Sequence, residues 1–169
     1  ALAYPELFCG LILISVHPGI SDVAEQHSRL QWEQQLFALL NSPSMVPLVD
    51  YFETLPVFDT QQSLPPEVLA AQRLTRLSHS PSNIRCALKA LGLGHTPDLS
   101  HQLKALNVPT RIITGALDQK YTHIAHTLSA AHRAISHAVI PNAGHNTLLE
   151  APEQTIEEIL AFTRQQLGR

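Results

Sequence analysis

The chain has only two cysteines in 169 residues, Cys9 and Cys86. They form neither a disulfide framework nor a metal-ligand spacing, and they fit a reduced, cytoplasmic setting. Lys and Arg number 11 against 14 Asp and Glu, a net charge of −3 with no basic block. Nothing in that balance favours nucleic acid or an anionic membrane surface. Long apolar runs are also missing: Leu11 to Val16 is the longest, far below the roughly 20 residues a helix needs to cross a bilayer. Gly92-Leu93-Gly94 lacks both the third glycine and the preceding strand of a dinucleotide fingerprint, so that function is rejected. The N-terminal residues show no basic region or cleavage site, so no signal peptide is expected. There is no initial Met, and Ala1-Leu2-Ala3-Tyr4-Pro5-Glu6 reads as the end of a helix running into a strand. A segment of a longer protein is the expectation.

What is present is an α/β rhythm. Leu11-Ile12-Leu13-Ile14-Ser15-Val16 is apolar on both faces, as a buried parallel strand should be. His17-Pro18-Gly19 ends it. Asp22 followed by Glu25 resembles a capping box. The helix it opens places Val23, Leu30 and Phe37 on one face. Arg29 and Glu33 on that helix read as a surface pair worth about 0.3–0.5 kcal/mol. Prolines at 43, 47, 56 and 65 divide the next stretch into short pieces. Helices are expected over 67–77 and 83–91.

From Leu99 a helix of about two turns leads to Val108-Pro109 and a strand over 110–115. A helix over 121–132, with Ile124, Leu128 and Ala131 inward, leads to a strand ending at Ile140. The closing helix carries Pro152 in its first turn and Ile156, Ile159, Leu160 and Leu167 at helical spacing. Strands separated by helices imply a parallel sheet. The helical stretch between the first two strands leaves from a carboxyl edge, where open α/β sheets bind ligands, and reads as a lid.

Two residues at that edge carry the chemistry. Asp118 follows the strand ending at Gly115. His145 follows the next strand through Pro141-Asn142-Ala143-Gly144. Acid then histidine, each after a strand, is how α/β-hydrolases order the last two triad members. Histidine is the natural base near neutral pH, and a carboxylate on its other nitrogen fixes the tautomer. On pattern alone His145 is a base or a structural turn residue, and Asp118 its partner or a helix N-cap. His123 and His126 share a helical face with no third ligand, so no metal site is expected. Arg29, Arg73 and Arg76 lie in the expected lid and could clamp carboxylates. No Gly-x-Ser-x-Gly occurs, so the elbow that carries a serine nucleophile is missing, as is a Gly-rich source of oxyanion amides.

Several stretches resemble one family in particular. They are Ile14-Ser15-Val16-His17-Pro18-Gly19, Arg29, Pro56-Val57-Phe58, Gly115-Ala116-Leu117-Asp118-Gln119-Lys120-Tyr121 and Ile140-Pro141-Asn142-Ala143-Gly144-His145-Asn146. Together they look like the 2-succinyl-6-hydroxy-2,4-cyclohexadiene-1-carboxylate synthases of menaquinone biosynthesis. The resemblance covers the whole chain but only the C-terminal half of such an enzyme. It implies an α/β class chain, a parallel sheet with a helical lid insertion: core strand in 1–21, lid in 22–97, and in 98–169 the α/β core with triad acid and base.

The activity implied is that of a lyase. It removes a proton and eliminates pyruvate from 2-succinyl-5-enolpyruvyl-6-hydroxy-3-cyclohexene-1-carboxylate without metal or organic cofactor. By the same resemblance Asp118 and His145 are catalytic, and Arg29 and Arg76 hold substrate carboxylates, with Arg73 the alternative to Arg76. Phe52 joins the substrate-binding set, within an Asp50-Tyr51-Phe52 stretch where the family usually has Trp. The implied partners are a small tricarboxylate substrate and an N-terminal half with the serine, on the same polypeptide or a second chain. An esterase or C–C hydrolase of the same fold, or a non-catalytic ligand-binding remnant, are the other readings.

Overall fold

The computed structural model describes residues 1–168. By backbone contacts they divide into two compact units, residues 1–17 with 99 onward, and residues 18–98.

The first unit is built on a three-stranded parallel sheet in the order β1 (Leu11–Ile14), β2 (Thr110–Gly115), β3 (Ile135–Ile140). Leu11 is in register with Thr110, and Thr110 with Ile135. Ile112 and Ile113 of the central strand are 1% and 0% exposed. The two-residue period of the strands sorts their side chains into two cores. Leu11, Leu13 and Ile112 join Leu106, Val108, Ala125, Leu128 and Ile135 in one cluster. Ile12, Ile14 and Ile113 join Ile140, Ala143, Ala151 and Ile159 in the other. Helix α5 (Gln119–Ala131) contributes Ala125 and Leu128 to the first core, and α7 (Pro152–Leu167) contributes Ile159 to the second. Short α6 (Thr147–Glu150) is tied to α7 by buried Thr155, whose hydroxyl donates to the carbonyls of Thr147 and Ala151.

The second unit holds α1 (Val23–Leu39), α2 (Val46–Glu53), α3 (Pro66–Leu77) and α4 (Pro81–Leu91), with a 3-10 helix over Pro56–Ser63. Asp22 caps α1 by accepting the Glu25 N–H. The prolines open helices here rather than break them: α2, α3, α4 and the 3-10 helix each carry one in the first two positions, where the missing N–H has no helical partner to lose. The core is Leu36, Leu40, Met45, Leu48 and Val49, flanked by Trp32, Tyr51, Phe52, Ile84 and Leu88. Among the described residues no helix is long and apolar enough to cross a membrane.

Four expectations need correcting. In α1 the buried residues are Glu33 and Leu36, continued by Leu40 at the C-cap; Val23, in the first turn, is 78% exposed. Only a 3-10 turn, Gln102–Ala105, forms after Leu99. Leu106 is extended there so that it and Val108 enter the core, which takes them out of any helix. On α5, Ala125 is buried and Ala131 is exposed, because the helix ends at that residue. On α7, Thr155 and Phe162 are buried while Ile156, Leu160 and Leu167 are exposed.

Candidate active site

The carboxyl ends of β2 and β3 are brought together by backbone bonds. Ala116 N–H donates to Ile140 O and Leu117 N–H to Ala143 O, both at 2.9 Å. This approach needs glycine at the end of β2: a Cβ on Gly115 would sit 2.2 Å from the carbonyl oxygens of Ala143 and Gly144. Asn142 takes a positive φ of 58°, which turns the chain back from β3 and is a conformation asparagine tolerates well.

That turn delivers His145 to Asp118. Imidazole Nδ1 lies 2.7 Å from Asp118 Oδ2, with the acid side chain 7% exposed and the imidazole 24% exposed. The other carboxylate oxygen, Oδ1, accepts the Tyr121 N–H at 3.3 Å and caps α5. Asp118 therefore contacts His145 through one oxygen and caps α5 through the other. A carboxylate on Nδ1 leaves Nε2 as the nitrogen that can take up a proton, and stabilises the imidazolium that results.

The backbone around His145 is held from three sides. Glu150 accepts the N–H of Gly144 at 2.6 Å on Oε2 and the N–H of Asn146 at 3.1 Å on Oε1, straddling the histidine. Ser15, at a positive φ of 47° just past β1, donates its hydroxyl to the His145 carbonyl at 2.8 Å. The Tyr121 ring sits 4.6 Å from the imidazole, centroid to centroid, with His17 edge-on to Tyr121 at 6.4 Å. Beneath the site, buried Thr114 bonds both Thr122 (2.9 Å) and His137 Nε2 (2.8 Å). Burial pushes the His137 pKa down, and nearby His126 and Arg111 add to that.

In the 18–98 unit the arginines have unequal surroundings. Arg73 is taken up by acids: Nη2 reaches Asp50 at 2.6 Å and Nη1 bonds Glu53, and the Asp50 hydrogen bond leads the causes that raise its pKa. That engagement argues against Arg73 as the alternative carboxylate ligand. Arg76 is 19% exposed, lies over the Phe58 ring at 5.1 Å and is 3.9 Å from Glu53. Burial lowers its pKa, with Glu53 opposing. It lines a cavity of about 280 Å³ with Glu53, Phe58, Gln61, Gln72 and Arg73. Arg29 is not among the lining residues; it stacks 4.4 Å over Trp32 and bonds Glu33 at 2.7 Å. Phe52 stands in an aromatic row between the two arginines, 6.5 Å from Tyr51 and 6.4 Å from Phe58, while Tyr51 accepts the Trp32 Nε1–H at 2.8 Å. Among the described residues no group of three or more His, Cys, Asp or Glu could hold a metal.

Sequence reasoning missed Glu150 and Ser15 as supports of His145, and it read Glu33 only as half of a surface pair. Glu150 left one faint signal, an acid four residues after Asn146 and two before Pro152. The others left none, because their roles depend on partners distant in the chain.

No family model matches the chain. It is 29% identical over 152 residues to a 2-succinyl-6-hydroxy-2,4-cyclohexadiene-1-carboxylate synthase from Enterobacter sp. (strain 638), covering 90% of this chain and 56% of that protein. A solved structure of MenH from S. aureus superposes with a TM-score of 0.91 at 31% identity, over 99% of this chain and 64% of that one. A thermophilic esterase from Thermogutta terrifontis, solved with malate bound, gives a TM-score of 0.75 at 24% identity over 96% of this chain and 58% of that one. The fold is that of the α/β-hydrolases. The chain spans between about half and two thirds of the length of these relatives.

Proposed function

We propose that the chain supplies the acid, the base and the carboxylate-binding arginines of a 2-succinyl-6-hydroxy-2,4-cyclohexadiene-1-carboxylate synthase. One observation carries the proposal: the Asp118–His145 contact at 2.7 Å, in a turn whose glycine and glutamate hold it in place. A pocket that only bound a ligand would need neither a tautomer-fixing acid nor a clamped histidine. Likeness to proteins carrying that name supports this reading of the reaction.

In this reading His145 Nε2 takes the proton of a serine hydroxyl borne by a segment outside this chain, and Asp118 stabilises the imidazolium. The serine oxygen removes a ring proton from 2-succinyl-5-enolpyruvyl-6-hydroxy-3-cyclohexene-1-carboxylate. The C–H electrons shift into the ring. The C–O bond to the enolpyruvyl group breaks with its electron pair, and the enolpyruvate gains a proton at carbon to become pyruvate while the imidazolium gives one up, returning His145 to its neutral form. No acyl enzyme forms and no metal or organic cofactor takes part. Arg29 and Arg76 hold substrate carboxylates, and Phe52 contributes to the aromatic row between them. Free thiols at Cys9 and Cys86 fit a cytoplasmic setting.

The serine and the oxyanion amides must come from another segment, whether of the same polypeptide or of a second chain. β1 lies at the end of the sheet order, and all four of its residues pack into the two cores, so its outer edge suits a further parallel strand. The test combines the chain with a serine-bearing segment and follows two products, pyruvate from the cyclohexene substrate and alcohol from simple esters. Pyruvate release supports the proposal. Ester cleavage without pyruvate release replaces it with the esterase reading.

A further inference from the structure

Glu33 is a carboxylate with no solvent exposure, buried on α1 beside the apolar Leu36. Its Oε1 accepts the Arg29 Nε–H at 2.7 Å and the Gly94 N–H at 3.0 Å, while Oε2 accepts no hydrogen bond from the described residues. The Gly92-Leu93-Gly94 turn is shaped around that oxygen. A Cβ on Gly92 would lie 2.7 Å from Oε2, and one on Gly94 3.0 Å from it. A buried carboxylate is tolerated only with a fixed counter-charge. The one ion pair that Glu33 makes among the described residues is with Arg29.

The consequence falls on Arg29. Its Nε is tied to Glu33 and its guanidinium carbon lies 4.4 Å from the centroid of the Trp32 ring, over its face, and Tyr51 holds that ring through the indole N–H. The two terminal Nη groups carry no hydrogen bond to the described residues, and the side chain is still 31% exposed. An arginine anchored by Nε and by one face, with its Nη pair unengaged, has lost its rotamer freedom before any ligand arrives. That is the preorganised form of a bidentate carboxylate receptor.

We infer that Glu33 is a positioning residue, whose buried carboxylate fixes Arg29 with its Nη pair unengaged for one carboxylate of the substrate. The inference rests on the reading of Arg29 as a carboxylate ligand, but its test needs no substrate. In the 169-residue chain, ¹⁵N relaxation and solvent exchange of the Arg29 Nε–Hε group report how firmly the guanidinium is held. The wild-type signal should be as ordered as the backbone. Glu33→Gln keeps the side chain's shape but removes the charge, and should speed Nε–Hε exchange about ten-fold and lower its order. A purely structural role for Glu33 would change the melting temperature and leave Arg29 as ordered as before; that result overturns the inference. Should Glu33→Gln fail to fold, Gly94→Ala keeps the charge but crowds Oε2, and the same rise in Arg29 mobility is expected, with an unchanged Arg29 signal again overturning it. Pyruvate release does not enter these measurements, so failure of the proposed reaction and failure of this device are distinguishable.

Discussion

Asp118 uses its two oxygens for different purposes, and a single substitution separates them. Asparagine caps helices about as well as aspartate, so Asp118→Asn should keep the Oδ1 bond to Tyr121 and shift the melting temperature little. The charge on Oδ2 that orients His145 is gone, and a wrongly held imidazole costs a triad about 10⁴-fold in kcat. Thermal melting and turnover of the complemented enzyme, measured on one preparation, should therefore part company; unchanged turnover beside an unchanged melting temperature would mean that Asp118 is only a cap. His137 gives a pH dependence. Burial lowers its folded pKa below the ordinary 6.5, so the unfolded chain binds a proton at higher pH than the folded one. Stability from this group is complete above about pH 6.5 and is lost as the pH falls through that value to the folded pKa. Melting temperatures across this window should fall less steeply on acidification in His137→Gln than in the wild type.

The element that matters most is the turn from β3 to α6. Glu150 satisfies two N–H groups flanking His145 from one carboxylate. Glu150→Ala leaves both donors without that partner, at about 1–3 kcal/mol for each group that stays buried. Chemical denaturation should register the loss, and His145 should lose its fixed position with it. Much of this scale was legible in the sequence. β2 and β3 announce themselves as apolar runs ending in glycine- and asparagine-containing turns, and the helices over 66–77 and 81–91 begin at the prolines that also make them readable. What was not legible depends on burial from afar. Arg29 and Glu33 look like any exposed i,i+4 pair until Gly92 and Gly94, about sixty residues on, close over the carboxylate. Helix α7 fails as a periodicity reading for a related reason. Its pattern marks Ile156, Ile159, Leu160 and Leu167 as inward, but of these only Ile159 packs against the core, and the buried side chains of the helix are Thr155 and Phe162.

At the scale of the molecule, the Asp118–His145 pair and the arginines occur in a chain where, among the described residues, the sheet order ends at β1, a strand with both faces packed and one neighbour. Such an edge normally pairs, is covered or is blunted, and α/β-hydrolase chemistry places a serine-bearing strand and elbow in the same sheet. The central claim is that His145, held by Asp118, drives a pyruvate-forming elimination once a serine is supplied. The most direct measurement is pyruvate release from 2-succinyl-5-enolpyruvyl-6-hydroxy-3-cyclohexene-1-carboxylate by the chain joined to its serine-bearing segment, wild type against His145→Ala. The account predicts turnover in the wild type and a loss of about 10²–10⁴-fold in the variant. Equal rates in the two proteins, or no pyruvate from a folded wild-type assembly, would contradict it.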